Sequence, residues 1–370
     1  MKTVCQKDHC CGCKVCADAC KQKAITVLDH IDAMNAVIDL EKCNSCGRCI
    51  KLCPNLAPTE KRVTISWQQG WAVSAVDRME SSSGGFATAI AKSFVRNGGI
   101  VCSCSFREGQ FRFSFAEKEE EVKQFQGSKY VKSDPQGCYE EAMNYIKIGK
   151  ELLFIGLPCQ VAAMRNYVGR EYEDRLYTVD LICHGTPSAK MLQRYLSGKQ
   201  FDLAAMHDIS FRHNNKFGIM QHGNPIVHGW LGDNYISSFL EGLTYTENCY
   251  SCQYATRMRV SDLTLGDSWG SEFAQDEVEK GISLALCQTE KGEKLLSQGD
   301  LALFKVDYEK AVQSNAQLQH PSKKPDNRDR FLQDIKRDVP FDRAYAYLYP
   351  KHYLKQKIKQ VILHCKGKHK

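Results

Sequence analysis

Two runs of cysteine with the same spacing constrain this chain more than any other feature. The first reads Cys10-x-x-Cys13-x-x-Cys16-x-x-x-Cys20, and the second Cys43-x-x-Cys46-x-x-Cys49-x-x-x-Cys53, closed by Pro54. Three thiolates at intervals of three can reach three corners of one iron–sulfur cube. The fourth, set one residue further on, swings toward a second cube. The ligands therefore cross over: Cys10, Cys13, Cys16 and Cys53 go to one [4Fe–4S] cluster, and Cys43, Cys46, Cys49 and Cys20 to the other. Cys5 and Cys11 fall outside the spacing. Zinc sites or a disulfide framework are the alternatives, but zinc sites usually pair their cysteines with mixed spacings rather than in two complete runs of four.

This segment resembles a bacterial-type ferredoxin domain with two [4Fe–4S] clusters, an α+β ferredoxin-like fold over residues 1–60. Lys21, where the first run would carry proline, departs from that pattern. Ala24–Leu28 and Ala36–Leu40 are β-prone and separated by a polar stretch at His30, as a short hairpin over the clusters requires.

The remaining residues are enough for a second, larger domain. Of the chain, 43% is hydrophobic and 25% charged, as in an ordinary globular protein. The 19 cysteines, an odd number that includes oxygen-labile cluster ligands, point to a reducing compartment. No signal-peptide core or transmembrane run is visible, so a cytoplasmic location is expected. The net charge of +7 suits an anionic cofactor or partner better than nucleic acid. Much of it sits in a basic helical tail over residues 331–370, with Lys351, Lys355, Lys357, Lys359, Lys366, Lys368 and Lys370 alongside Leu354, Ile358, Val361, Ile362 and Cys365 at helical intervals. Such a helix either makes peripheral contact with an anionic membrane or partner, or packs its apolar stripe on its own domain; the second reading is favoured.

Residues 61–155 and 156–330 read as two parts of one α/β domain. Val63–Trp67 and Trp71–Ala75 are extended pieces with a break at Gly70, and Glu108-Gly109 turns between two strands. Ser81-Ser82-Ser83-Gly84-Gly85 opens a helix, an arrangement that suits a phosphate, though a simple cap is the commoner use. Gly127-Ser128-Lys129-Tyr130 is a second small-residue loop, able to hold a phosphate or to serve as a turn. Lys150–Gly156 and Leu176–Ile182 are apolar throughout, the signature of parallel strands buried on both faces, and they lead into Cys159 and Cys183. Ligands gather at the carboxyl ends of such strands, so both cysteines are expected in one crevice. Cys249-x-x-Cys252 offers two more thiols, which makes Cys159, Cys183, Cys249 and Cys252 candidates for a third [4Fe–4S] cluster. His207, His213, His222 and His228, within the irregular stretch Phe201 to Trp230, match no zinc spacing and read as surface or structural residues.

Taken together, Ser81–Gly85, Gly127–Val131, Leu157-Pro-Cys-Gln160, Asp180-x-x-Cys183-His-Gly and Cys249-x-x-Cys252 followed by Asp262–Asp267 are similar to the beta-subunit family of hydrogenases and dehydrogenases that use coenzyme F420. The resemblance covers about residues 75–330 and implies an α/β flavin-binding domain. FAD would contact Ser81, Ser82, Ser83, Gly84, Gly85, Gly127, Ser128, Lys129 and Tyr130, beside the cluster of Cys159, Cys183, Cys249 and Cys252. It further implies an oxidoreductase that exchanges hydride at FAD with a reduced coenzyme or small organic substrate and passes single electrons through the clusters, to or from a redox partner protein. The alternative is an electron-transfer adaptor without a flavin. No side chain stands out as a catalytic acid or base.

Overall fold

The structure is a computed structural model and describes residues 2–213, 216–227 and 233–367. His228, Lys368 and Lys370 lie outside the described residues. The N-terminal unit holds one hairpin, β1 (Ile25–Asp29) and β2 (Met34–Ile38), paired antiparallel with Thr26 opposite Val37. Two short helices, Val15–Asp18 and Arg48–Leu52, each follow a cysteine loop. Cys5, Cys10, Cys16, Cys53, Val4 and Met34 make up its small core.

The larger part is built on one eight-stranded sheet. Its strands are β3 (Ser66–Ala72), β4 (Ile100–Arg107), β5 (Gln110–Ala116), β6 (Leu152–Gly156), β7 (Leu176–Leu181), β11 (Leu263–Asp267), β12 (Ser283–Cys287) and β13 (Leu301–Phe304). Between β7 and β11 the chain forms a separate three-stranded sheet from β8 (Ser210–His213), β9 (Lys216–Gln221) and β10 (Asn224–Pro225). The large sheet runs β13-β3-β12-β11-β7-β6-β4-β5. Strands β4, β6, β7 and β11 are mutually parallel, and the antiparallel strands flank them on both sides. Residues 61–155 and 156–330 thus share a single sheet.

Both faces of the parallel centre are covered, which is why β6 and β7 are apolar throughout rather than alternating. Leu153, Ile155, Val179 and Leu265 point toward Phe86, Ile90, Phe94 and Leu295 of the helices Phe86–Arg96 and Glu290–Gln298. Leu152, Phe154 and Leu176 pack the opposite face against Tyr139, Val161 and Met164 of the helices Cys138–Lys147 and Pro158–Val168. Cys11, Cys13 and Val15 belong to this second core, so the ferredoxin-like unit is seated on the sheet domain. Tyr139 Oη donates to Cys13 O at 2.6 Å, Gly137 N to Asp18 Oδ2 at 2.6 Å, and Glu247 N to Asp32 O at 2.8 Å.

Three sequence expectations change. Gly70 does not break the chain: β3 runs straight through it at φ +153°, and a Cβ there would lie 1.8 Å from Ala302 O of the neighbouring strand β13. The stretch from Phe201, which shows no clear periodicity, contributes Phe211 and Ile219 to an aromatic core with Tyr195, Tyr235, Phe331, Phe341 and Tyr345. In the last helix, Pro350–Gly367, the apolar stripe is not packed on its own domain at Leu354 and Ile358, which are 61% and 53% exposed. The helix is turned so that His352 and Gln356 face the body instead, at 2.8 Å from Tyr345 Oη and 3.3 Å from Ser237 Oγ.

Candidate functional site

The parallel strands end at one edge of the sheet. Strand β6 leads from Gly156 into Leu157-Pro158-Cys159, and β7 from Leu181 into Cys183-His184-Gly185, with Gly156 opposite Asp180 in register. Cys159 and Cys183 therefore emerge side by side. Cys249 and Cys252 come from the segment after the helix Asn234–Leu240 and fold over the same edge. All four line one cavity of about 300 Å³, together with Lys132, Tyr254, Arg259 and, from the ferredoxin-like unit, Cys5, Cys11 and Asn55.

The Cys249–Cys252 turn is held from both sides. Gln253 Nε2 and Tyr254 Oη both donate to Pro54 O, at 2.8 and 3.0 Å, which pins it to the end of the second cysteine run. Arg259 donates to Tyr254 O at 2.7 Å and to Asp180 at 3.0 Å, which pins it to β7. Burial pushes the Cys183 thiol up to about 12 and raises Cys252 as well. Bare Cys183 and Cys252 thiols therefore stay protonated; they become thiolates when positive charge lies beside them, which is what a metal supplies. The donor set and the space fit an iron–sulfur cluster. Among the described residues no three His, Cys, Asp or Glu side chains converge closely enough to hold a single metal ion.

In the ferredoxin-like unit, Cys10, Cys13, Cys16 and Cys53 are buried and line a second, tighter cavity with Cys5 and Cys11. Cys20, Cys43 and Cys49 are partly buried, and Cys46 is exposed. One group of four is thus enclosed against the sheet domain, and the other lies at the surface. Cys5 and Cys11, unplaced by spacing, sit among the buried thiols, with Cys5 in hydrogen-bonding reach of Cys10 and Cys53.

The two small-residue loops meet at the same sheet edge. Ser128 N donates to Ser82 Oγ at 2.7 Å, joining them directly. Ser81 Oγ donates to Asp77 O, and Ser83 Oγ to Ile282 O. Gly84 lies so close to the sheet that a Cβ would stand 2.4 Å from Gly70 O and 2.6 Å from Ser283 N. Gly70 and Asp267 flank Ser283 in register, so this loop sits over the carboxyl end of β11. Gly85, at φ +87°, caps the helix that follows. Lys129 is turned inward, its ammonium donating to Phe125 O at 2.7 Å and Gln126 O at 2.9 Å rather than facing the crevice.

Beside Tyr130, Arg212 grips Asp267 through two bonds of 2.8 and 3.1 Å and lies over the rings of Phe217 and Trp269. His184 lines the cavity at its open side. Sequence reasoning missed Lys132, Arg212 and Arg259, single basic residues in segments without a spacing signal. Their later partners Asp180 and Asp267 did stand inside quoted motifs.

Residues 149–306 match the family described as the C terminus of the coenzyme F420 hydrogenase/dehydrogenase beta subunit, and residues 9–57 match the 4Fe–4S dicluster domain. The chain is 22% identical over 298 residues to the F subunit of the F420H2 dehydrogenase of Methanosarcina mazei, covering 74% of this chain and 81% of that protein. Over 57 residues it is 42% identical to the B subunit of an ion-translocating oxidoreductase complex of Methanosarcina acetivorans, 15% of this chain and 20% of the relative. In fold it resembles a chain of the F420-reducing [NiFe] hydrogenase complex from Methanosarcina barkeri, with TM-score 0.50, 17% identity, and coverage of 69% of this chain and 90% of that one. The chain thus joins an N-terminal 4Fe–4S dicluster domain to a segment matching the C terminus of the coenzyme F420 hydrogenase/dehydrogenase beta subunit, and is by class an iron–sulfur electron-transfer oxidoreductase-type subunit related to those enzymes.

Proposed function

We propose that this protein is an iron–sulfur flavoprotein with three [4Fe–4S] clusters and one FAD. The ligands are Cys10, Cys13, Cys16 and Cys53 for the buried ferredoxin-type cluster, Cys20, Cys43, Cys46 and Cys49 for the exposed one, and Cys159, Cys183, Cys249 and Cys252 for the third. What supports the reading most is that the last four thiols, drawn from three separate stretches of chain, line one cavity that also reaches the ferredoxin-like unit. FAD, when bound, supplies hydride exchange with a reduced deazaflavin-type coenzyme or an organic substrate and splits the electron pair into single electrons for the clusters.

The chain's own residues have definable tasks. The loops Ser81–Gly85 and Gly127–Tyr130, joined through Ser82 and Ser128, offer backbone N–H groups and the start of the helix Phe86–Arg96 to a pyrophosphate. Tyr130, Phe217 and Trp269, with Arg212 fixed on Asp267, form an aromatic and cationic wall for a ring system. Asp180, Arg259 and Pro54 hold the Cys249–Cys252 turn against the ferredoxin-like unit. Exposure of Cys46 makes the second run the port for a redox partner protein in the reducing interior of the cell. Air-free reconstitution of the full chain with iron, sulfide and FAD, followed by addition of reduced coenzymes, tests the reading: bleaching of a bound flavin supports it. A brown protein that takes up no flavin favours the adaptor alternative.

A second contact is favoured by the exposure of Leu354 and Ile358 on the last helix. Residues 343–370 contain no Asp or Glu, while Lys351, Lys355, Lys357 and Lys359 accompany the exposed stripe. That composition suits peripheral contact with an anionic membrane surface. No helix among the described residues is long and apolar enough to cross a membrane.

A further inference from the structure

Cys5 and Cys11 each line both cavities, that of the third site and that of Cys10, Cys13, Cys16 and Cys53. The two sites therefore share a wall one side chain thick. Cys11 is buried in it, its thiol within hydrogen-bonding reach of Cys13 on one side and Cys159 on the other. Its carbonyl accepts from Lys132 Nζ at 3.0 Å.

Lys132 follows the Gly127–Val131 loop, and its own N–H is fixed on Pro187 O at 2.8 Å. Its side chain lines the third-site cavity and runs hard against the first cysteine loop. A Cβ on Gly12, which sits at φ +74° between Cys11 and Cys13, would come within 2.8 Å of Lys132 Cδ. The residue is 8% exposed, and Cys11 O is its one hydrogen-bond acceptor among the described residues. A buried ammonium needs more than one carbonyl; it needs negative charge. The groups facing it are Cys10 and Cys11 from the ferredoxin-like side and Cys159 and Cys249 from the sheet side. Thiolate-bound clusters carry that charge, and one more with each electron they accept.

We propose that Lys132 is the shared counter-charge of the two buried clusters and that the Cys11–Lys132 wall is the electron junction between the sheet domain and the ferredoxin-like unit. This rests on the reading that Cys159, Cys183, Cys249 and Cys252 hold a cluster. A fixed cation favours the more negative, reduced form, so it raises the reduction potential of both clusters it faces. The exposed cluster of Cys20, Cys43, Cys46 and Cys49 has no part in this wall. Electrons then rest on the buried pair and leave through the surface cluster when a partner draws them.

The test is an EPR-monitored redox titration of the air-free reconstituted full chain, alongside iron analysis, for the wild type, Lys132→Met and Lys132→Arg. In Lys132→Met, two of the three midpoints should fall by an amount worth at least tenfold in a one-electron equilibrium, about 59 mV. The third should stay, and Lys132→Arg should keep the wild-type values. No shift, a shift of one midpoint alone, an equal shift of all three, or an arginine variant that behaves like methionine overturns the proposal. Should the methionine variant fail to load iron, the fully reduced wild type still decides when set against Cys249→Ser. The crossed-ligand pair couples to itself in both, so the wall predicts broadening in the wild type beyond what remains in Cys249→Ser, and equal broadening in the two overturns the proposal. A wild type holding roughly eight iron atoms would instead defeat the third-cluster reading itself, whatever Lys132 does.

Discussion

The carboxylate of Asp180 and the guanidinium of Arg259 form an ion pair of 3.0 Å from which solvent is excluded on both sides. Asp180 lies near the end of β7, three residues before Cys183, and Arg259 follows the Cys249–Cys252 turn, donating also to Tyr254 O and Leu181 O. The pair thereby fixes two halves of the proposed ligand set that the sequence keeps far apart. Asp180→Ala leaves an uncompensated buried guanidinium, and the expected loss is ~3–5 kcal/mol of stability. Iron bound at the third site should fall with it. Denaturant titration and iron analysis of the variant check both, and unchanged values would contradict the role assigned to the pair.

Gly84→Ala is expected to abolish flavin retention, because the added methyl meets backbone atoms, Gly70 O and Ser283 N, that cannot turn aside. The cost should be ~1–3 kcal/mol, from the backbone shift the crowding forces. Gly198→Ala, at the end of the helix Ala189–Gly198, is the control: an added methyl there meets nothing within 4 Å, and the residue has no part in the proposed flavin site. Flavin-to-protein ratios after gel filtration separate the two; equal retention would remove the Ser81–Gly85 loop from the site.

Much of this site could be read from the sequence because it rests on spacing and on strands buried on both faces. The apolar runs before Cys159 and Cys183 announce parallel strands, and parallel strands bring their carboxyl ends together. What stayed hidden depends on pairing across long separations. Lys132 is one lysine among many until Gly12 and Cys11 are folded against it. Gly70 reads as a break because glycine usually punctuates, yet here it is a strand residue whose missing side chain admits Ala302 O. Of the small sheet, residues 209–213 read as a strand in the sequence and hold β8, whereas β9 and β10 escaped because the aromatic core that holds them is assembled from helices on either side in sequence, with Tyr195 before them and Phe331 and Phe341 far downstream.

Burial lowers the pKa of Lys129 to about 8. Below pH 8 the folded and unfolded chains both carry its proton, and the folded state bears the full cost of a desolvated ammonium. Between pH 8 and the ordinary lysine range, the unfolded chain holds more protons, so this group makes stability rise with pH. Lys129→Met should remove that component. Denaturation midpoints of the two proteins, compared at pH 7 and pH 10, should therefore shift toward the wild type at the higher pH; a constant difference would contradict the burial of the ammonium.

The last helix should bind vesicles of phosphatidylglycerol and not vesicles of phosphatidylcholine, since its stripe is narrow and the lysines supply much of the attraction. Replacing both Leu354 and Ile358 by Asp should abolish sedimentation with the anionic vesicles while leaving the iron content unchanged. Wild-type protein that stays in the supernatant would exclude the membrane reading and leave an acidic protein partner for the exposed stripe.

The most direct test of the account is the iron content of air-free reconstituted protein, compared with that of Cys249→Ser and Cys11→Ser. Three clusters predict about twelve iron atoms per chain, about eight after Cys249→Ser, and about twelve again after Cys11→Ser, whose thiol stands in the wall and not among the ligands. About eight in the wild type with no change in Cys249→Ser would contradict the third cluster, and with it the electron path from the sheet domain to the ferredoxin-like unit.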